Sequence, residues 1–271
     1  MITDHTLLGL ATIIYFALFF FHILYFVWKR QALLAAVQYT LYAAAAVQAA
    51  GILMRWALSY RLGIGHAPLS NYYESLIFFS WSVSVFLIGI RKRRLYPIVT
   101  FIASGISLVL MAYASLSPGV ERGIQPLIPA LQSNWLHIHV ITCFLGYAAF
   151  TISFICGALY FFGPNGTIPA RENLEDMNYR SIIIGFSMLT SGILTGAVWA
   201  HFAWGSYWSW DPKETWSLIT WIIYAVVLHL RLAGGLKGRR IAVLSIIGFA
   251  SVIMTYFGVN FFLAGLHSYA T

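Results

Sequence analysis

Apolar residues run along this chain in stretches too long for the strands or amphipathic helices of a soluble protein. Eight such runs lie near residues 6–27, 33–54, 72–90, 96–114, 135–162, 181–203, 215–232 and 241–264. A membrane-crossing helix needs about 20 mostly apolar residues to traverse the hydrocarbon core. The pattern therefore predicts an all-α polytopic membrane protein with about eight transmembrane helices, organised as one membrane domain over residues 1–271. The fifth run is long enough to tilt or to extend beyond the bilayer. The first, starting near Leu7, has no basic segment before it and no small-residue cleavage site, and Lys29 and Arg30 follow it. It reads as a retained span.

Polar positions between the runs are distributed unevenly. The first, third, fifth and seventh connections carry Lys29, Arg30, Arg91, Lys92, Arg93, Arg94, Arg171, Arg180, Arg231, Lys237, Arg239 and Arg240. The even connections hold only Arg55, Arg61, Arg122 and Lys213. Basic residues collect in cytoplasmic loops, so the odd connections are expected inside and both termini on the non-cytoplasmic side. The even connections, residues 55–71, 115–134 and 204–214, are rich in aromatics, Pro and Gly. That asymmetry places the candidate chemistry on the outer face.

Composition agrees with the pattern. The chain is 60% hydrophobic and 9% charged, against about 25% charged for soluble domains. The formal charge of +8 has a topological explanation, and nothing points to nucleic acid as a partner. Cys143 and Cys156 lie in one apolar run without a CxxC motif, and read as buried apolar residues.

The stretch WGSYWSWDPKETW, residues 204–216, departs from this greasy background. Trp199, Trp204, Tyr207, Trp208, Trp210 and Trp216 surround the outer ends of the sixth and seventh runs. One or two Trp anchor a helix at headgroup level; this many rings around Gly205 exceed what anchoring requires. On an extended segment Trp208 and Trp210 would share one face. Asp211 followed by Pro212 reads as an N-cap and first helical residue, with Glu214 at the capping-box position. An aromatic platform at a membrane surface suits a flat, mostly apolar ligand with polar edges, and both porphyrin and quinone qualify.

The histidines sort by depth. His139, near the outer start of the fifth run, and His267, just past the outer end of the eighth, stand level with the aromatic stretch. Two imidazoles on separate helices form an axial pair for haem iron. His229 and His22 lie in the opposite leaflet, where a second pair is conceivable. His137 and His139 are two apart and point about 200° from each other on a helix, so they do not share one metal. Two ligand pairs at two depths describe a haem path or a transmembrane bis-haem electron carrier linked to quinol. A permease without haem is disfavoured by the scarcity of intramembrane charge.

WGSYWSWDPKETWSLITW resembles the tryptophan-rich WWD signature of the haem-handling proteins of cytochrome c biogenesis. Its DPKETW ending is similar to the CcsA/ResC type rather than to the shorter CcmC or longer CcmF branches. NYYES at 71–75, LQSNWLHIHV at 131–140, GILTGAVWA at 192–200 and GVNFFLAGLHSYA at 258–270 agree, so the resemblance runs from Asn71 to the C-terminus.

The resemblance implies a haem-export and presentation subunit of a cytochrome c synthase. It would carry haem b outward and, with a ResB/CcsB-type membrane partner, attach it to the CxxCH motif of apocytochrome c. The implied external iron ligands fall on His139 and His267, and an implied transmembrane ligand falls on His229. The counterpart of His229 normally comes from the partner, which weakens the case for His22. Trp199, Trp204, Trp208 and Trp210 would cover the porphyrin, Asp211 would orient them, and Arg55, Arg61, Arg122 and Lys213 are candidates to meet the propionates. His201, often Asn in such proteins, is read as local packing or solvent contact. The implied location is a bacterial cytoplasmic membrane with the site facing outward, or a thylakoid membrane.

Overall fold

In a computed structural model that describes residues 3–90, 96–127 and 131–263, the chain is helical, with no strand among the described residues. The helices are α1 (Asp4–Trp28), α2 (Gln31–Arg61), α3 (Tyr72–Ile90), α4 (Pro97–Leu116), α5 (Asn134–Phe162), α6 (Arg171–Trp204), α7 (Pro212–Leu232) and α8 (Arg239–Ile253). After α8 comes one π-helical turn, Met254–Gly258, then the short α9 (Val259–Phe262). Among the described residues, eight helices are long and apolar enough to cross a membrane, α8 counting with its continuation to Phe262. Bilayer hydrocarbon offers no partner for backbone N–H and C=O groups, which is why these long apolar runs are helical throughout.

Two helices begin or end well outside their apolar runs. α6 starts at Arg171, upstream of residue 181, because the polar segment before it is itself helical. The Arg180 Nε to Asp176 Oδ2 pair at 2.7 Å, one turn apart, supports that segment. α2 continues to Arg61, where it carries Arg55 into a buried position.

The helices gather into two compact units, Met1–Ile128 and Pro129–Thr271. In the first, α1 packs on α2 and α4, and α3 on α2 and α4. The buried stripe of α1 is Asp4, Leu8, Ala11, Tyr15, Leu18 and His22, at helical spacing. Its mid-helix polar group is satisfied internally. Tyr15 donates to Gln48 Oε1 at 2.7 Å and lies 2.6 Å from Ser84 Oγ, while Gln48 Nε2 donates to the Ile77 carbonyl at 2.9 Å.

One end of this unit is tied by Arg55, whose side chain is 2% exposed. Its Nε donates to Glu74 Oε1 at 2.8 Å and its Nη1 to Asp4 Oδ2 at 3.0 Å. Its Nη2 reaches the carbonyls of Arg122 at 2.9 Å and Gly123 at 3.1 Å. The other oxygen of Glu74 accepts from the Ser70 amide and hydroxyl, and Asn71 donates to the Gly123 carbonyl at 3.3 Å. NYYES is thus an anchoring motif: Glu74 fastens the loop after α4 through Arg55, and Asn71 fastens it directly at the Gly123 carbonyl. Arg55, a sequence candidate for meeting propionates, is engaged here instead.

In the second unit α5 packs on α6 and α8, and α7 on α6 and α8. Within it α5 is the most deeply buried helix and α7 the least. Cys143 and Cys156 are free and buried in α5, as their apolar surroundings predict.

Candidate functional site

Local sequence fixes where α7 begins. Asp211 is its N-cap and accepts from the Lys213 amide at 2.9 Å; Pro212 follows at the first helical position. Glu214 Oε2 accepts from the amides of Asp211 at 3.2 Å and Ser209 at 2.8 Å, completing the capping box and fastening the loop before it. Lys213 Nζ donates to Asn260 Oδ1 at 3.0 Å, which ties the start of α7 to α9. The helix-start reading of Asp211 and Glu214 holds.

Beside this corner, α5 presents His139 to α6. Its Nδ1 lies 2.7 Å from the Gly192 carbonyl oxygen. A carbonyl only accepts, so Nδ1 carries the proton and Nε2 is the lone-pair nitrogen, the tautomer that can bind a metal through Nε2. The imidazole lies nearly parallel to Trp199, with centroids 6.0 Å apart and planes at 17°. Trp199 in turn meets Trp204 at 4.7 Å and 66°. Trp199 is only 2% exposed. It backs the histidine ring.

The loop rings face differently. Trp210 has φ of 60°, a left-handed conformation unusual for a residue with a side chain, and is 68% exposed. That twist overrides the extended geometry the sequence implied: Trp208 and Trp210 do not share a face but meet edge to face at 5.7 Å and 88°. The Trp208 indole Nε1 is buried without a hydrogen-bond partner among the described residues. His201 stacks flat on Tyr207 at 4.3 Å and 5°, both exposed, in accord with a packing or solvent role. The rings of the aromatic stretch therefore meet at several angles rather than forming one flat platform.

The other histidines divide by what their nitrogens do. His229 is exposed on α7, on a stripe with Ile222, Val226 and Leu232, which are 47%, 46% and 70% exposed. An imidazole on an otherwise apolar, outward-facing helix surface is accessible to a flat amphiphile in the lipid phase. His22 is fully buried in the first unit: Nδ1 lies 2.9 Å from the Leu18 carbonyl, the Phe101 ring is 5.7 Å away, and Nε2 has no hydrogen-bond partner among the described residues. His66 places both ring nitrogens on backbone carbonyls, of Ala67 at 2.8 Å and Gln125 at 2.9 Å, which leaves neither for a ligand. His267 lies outside the described residues.

Sequence reasoning gave no role to Gly192, Gly196 or Asn260, and read Cys143 only as a buried apolar residue. Gly192 and Gly196 are four residues apart, the small-xxx-small spacing that lets helices approach closely. That spacing was a usable signal, present in GILTGAVWA. The reach of Lys213 to Asn260 spans 47 residues and left no local trace.

The profile of the family described as cytochrome c assembly protein matches residues 69–267. A cytochrome c biogenesis protein CcsA from Prochlorococcus marinus strain MIT 9312 is 41% identical over 249 residues, covering 80% of this chain and 79% of its own. A CcsA from Chlamydomonas reinhardtii is 42% identical over 229 residues, covering 80% of this chain and 64% of its own. Among solved structures, the cytochrome c haem lyase CcmF has the same fold, with a TM-score of 0.74 at 16% identity. It matches 95% of this chain, which spans 47% of its length.

Proposed function

The chain belongs to the cytochrome c assembly protein family, as a CcsA-type cytochrome c biogenesis protein of the membrane, and from that premise we propose that it holds haem b at the outer membrane face for attachment to apocytochrome c. The observation that carries this reading is His139. Its Nδ1 is committed to the Gly192 carbonyl, its ring is backed by Trp199, and its Nε2 is the nitrogen that can bind iron.

Haem is cargo and substrate here. In this proposal His229, exposed on the apolar face of α7, receives it near the inner end of that helix, with the second ligand supplied by a ResB/CcsB-type partner. At the outer end His139 and His267 take over as axial ligands. Two imidazoles tune the iron potential. Trp208 and Trp210, perpendicular to each other, bound the site on its solvent side, while Trp199 and Trp204 fix the ligand ring from behind. Asp211 sets the loop that carries Trp208 and Trp210 by starting α7, without touching the cargo. Lys213 is held by Asn260 at the same corner, beside the place where a propionate would lie.

Bond formation adds each cysteine S–H of the CxxCH motif across a haem vinyl double bond, so no external oxidant enters. The chain's own thiols take no part, since Cys143 and Cys156 are buried in α5. What the chain supplies is position: a substrate held in reach of two thiols gains from the lost freedom of both. By the positive-inside argument, the site faces the periplasm of a bacterial cytoplasmic membrane or the lumen of a thylakoid.

Maturation of a c-type cytochrome in cells lacking their own copy, with the partner present, tests the proposal. His139→Ala and His229→Ala should each abolish most holocytochrome c while the chain still accumulates in the membrane. Normal maturation with both variants, together with haem that cycles with quinol, would identify an electron carrier instead.

A further inference from the structure

We propose that the Gly192–Gly196 turn of α6 sets the tautomer and direction of the His139 imidazole, making Gly192 and Gly196 positioning residues for the iron ligand. The statement about iron rests on the haem-presenting reading; the statement about the imidazole does not.

Two features converge on this short segment. The Gly192 carbonyl has two lone pairs, so it can accept from the helix amide one turn on and also from His139 Nδ1 at 2.7 Å. Position 196 must lack a side chain for the ring to lie there. A Cβ built on Gly196 would stand 2.5 Å from His139 Nδ1 and 2.7 Å from Cε1, closer than real Cβ atoms come. The ring thus occupies the volume where any other residue would put its side chain. Trp199, farther along α6, backs the same ring at 6.0 Å, nearly parallel to it.

Cys143 completes the cradle. One turn after His139 on α5, its Sγ lies 3.7 Å from Nδ1. A Cβ on Gly192 would meet that sulfur at 2.5 Å. The thiol is a spacer that fills the gap above Gly192 and keeps the carbonyl at hydrogen-bonding distance from the ring. With Nδ1–H held on a carbonyl, the imidazole is oriented before any iron arrives and its Nε2 is made more basic, as for metal-binding histidines generally. The GILTGAVWA segment thereby has a physical task beyond helix packing.

The test uses the full-length chain in nanodiscs, labelled with ¹⁵N-histidine, and His139→Ala to assign the His139 signal. Wild type should show a neutral His139 protonated at Nδ1, without added haem. Gly196→Ala should move that signal toward the other tautomer and weaken haem binding about 10- to 100-fold, the usual cost of losing an outer-shell partner. Gly192→Ala should act in the same direction, because its Cβ would meet Cys143 Sγ at 2.5 Å and the Cys143 amide nitrogen at 3.3 Å. Cys143→Ala should not repair Gly196→Ala, whose Cβ meets the ring and not the thiol. Wild-type nitrogen shifts and haem affinity in Gly196→Ala would overturn the proposal. If the nitrogen shifts behave as stated but wild type binds no haem, the positioning role stands and the haem-presenting reading falls.

Discussion

Arg55, buried in the first unit, and His139, half-buried in the second, are polar side chains satisfied in opposite ways. Arg55 meets two carboxylates and two carbonyls, leaving its charge neutralised and its directions used. His139 commits one nitrogen to a backbone carbonyl, and the other carries the lone pair. A saturated group holds the fold, because moving it strands several partners at once. A group fixed through one nitrogen has its ring oriented and its tautomer set. His66, with both nitrogens on carbonyls, sides with Arg55.

The largest effect expected from this contrast is at Arg55. Arg55→Ala leaves Asp4 and Glu74 buried without their cation, and should cost about 3–5 kcal/mol of stability. The unfolding temperature in a fixed detergent and the amount of chain in the membrane would both drop. A variant that folded normally but lost haem would break the comparison, by showing that Arg55 serves the ligand. Next is Asp211→Ala, which removes the N-cap of α7 and should cost about 1 kcal/mol, read by the same unfolding measurement. Its effect on haem should follow only from loosening of the Trp208–Trp210 loop.

The smallest change in stability is expected at Trp210. Its φ of 60° is a conformation costing a side-chain-bearing residue about 1–2 kcal/mol, so Trp210→Gly relieves strain while losing an exposed ring. Glycine's extra freedom in the unfolded chain offsets that relief by about 0.5–1 kcal/mol, and the net change should stay within about 1 kcal/mol. Haem retention by the folded chain should nevertheless fall. Unchanged retention would mean that the twisted Trp210 serves the bilayer interface alone.

The sequence exposed some of this architecture and hid the rest for identifiable reasons. The eight spans were legible because lipid enforces uninterrupted apolar helices. The Asp211–Glu214 capping box was legible because all its partners lie within a few residues. The start of α6 at Arg171 was missed because a polar helix outside the hydrocarbon looks like a connector until its own ion pairs are counted. Arg55 was legible as a cation but not as a buried one, since its partners Asp4 and Glu74 stand 51 and 19 positions away. For the site, His139 was picked out by depth and by resemblance, yet its tautomer depends on a backbone carbonyl 53 residues downstream. The left-handed turn at Trp210 has no residue-type signal, and so the aromatic stretch looked like a flat platform.

The most direct test of the account is the optical spectrum of reduced haem bound to the purified chain with its partner. Wild type should show the low-spin bands of iron between two imidazoles, His139→Ala should lose them, and added free imidazole should bring them back. Low-spin bis-imidazole bands that persist in His139→Ala without added imidazole would contradict it.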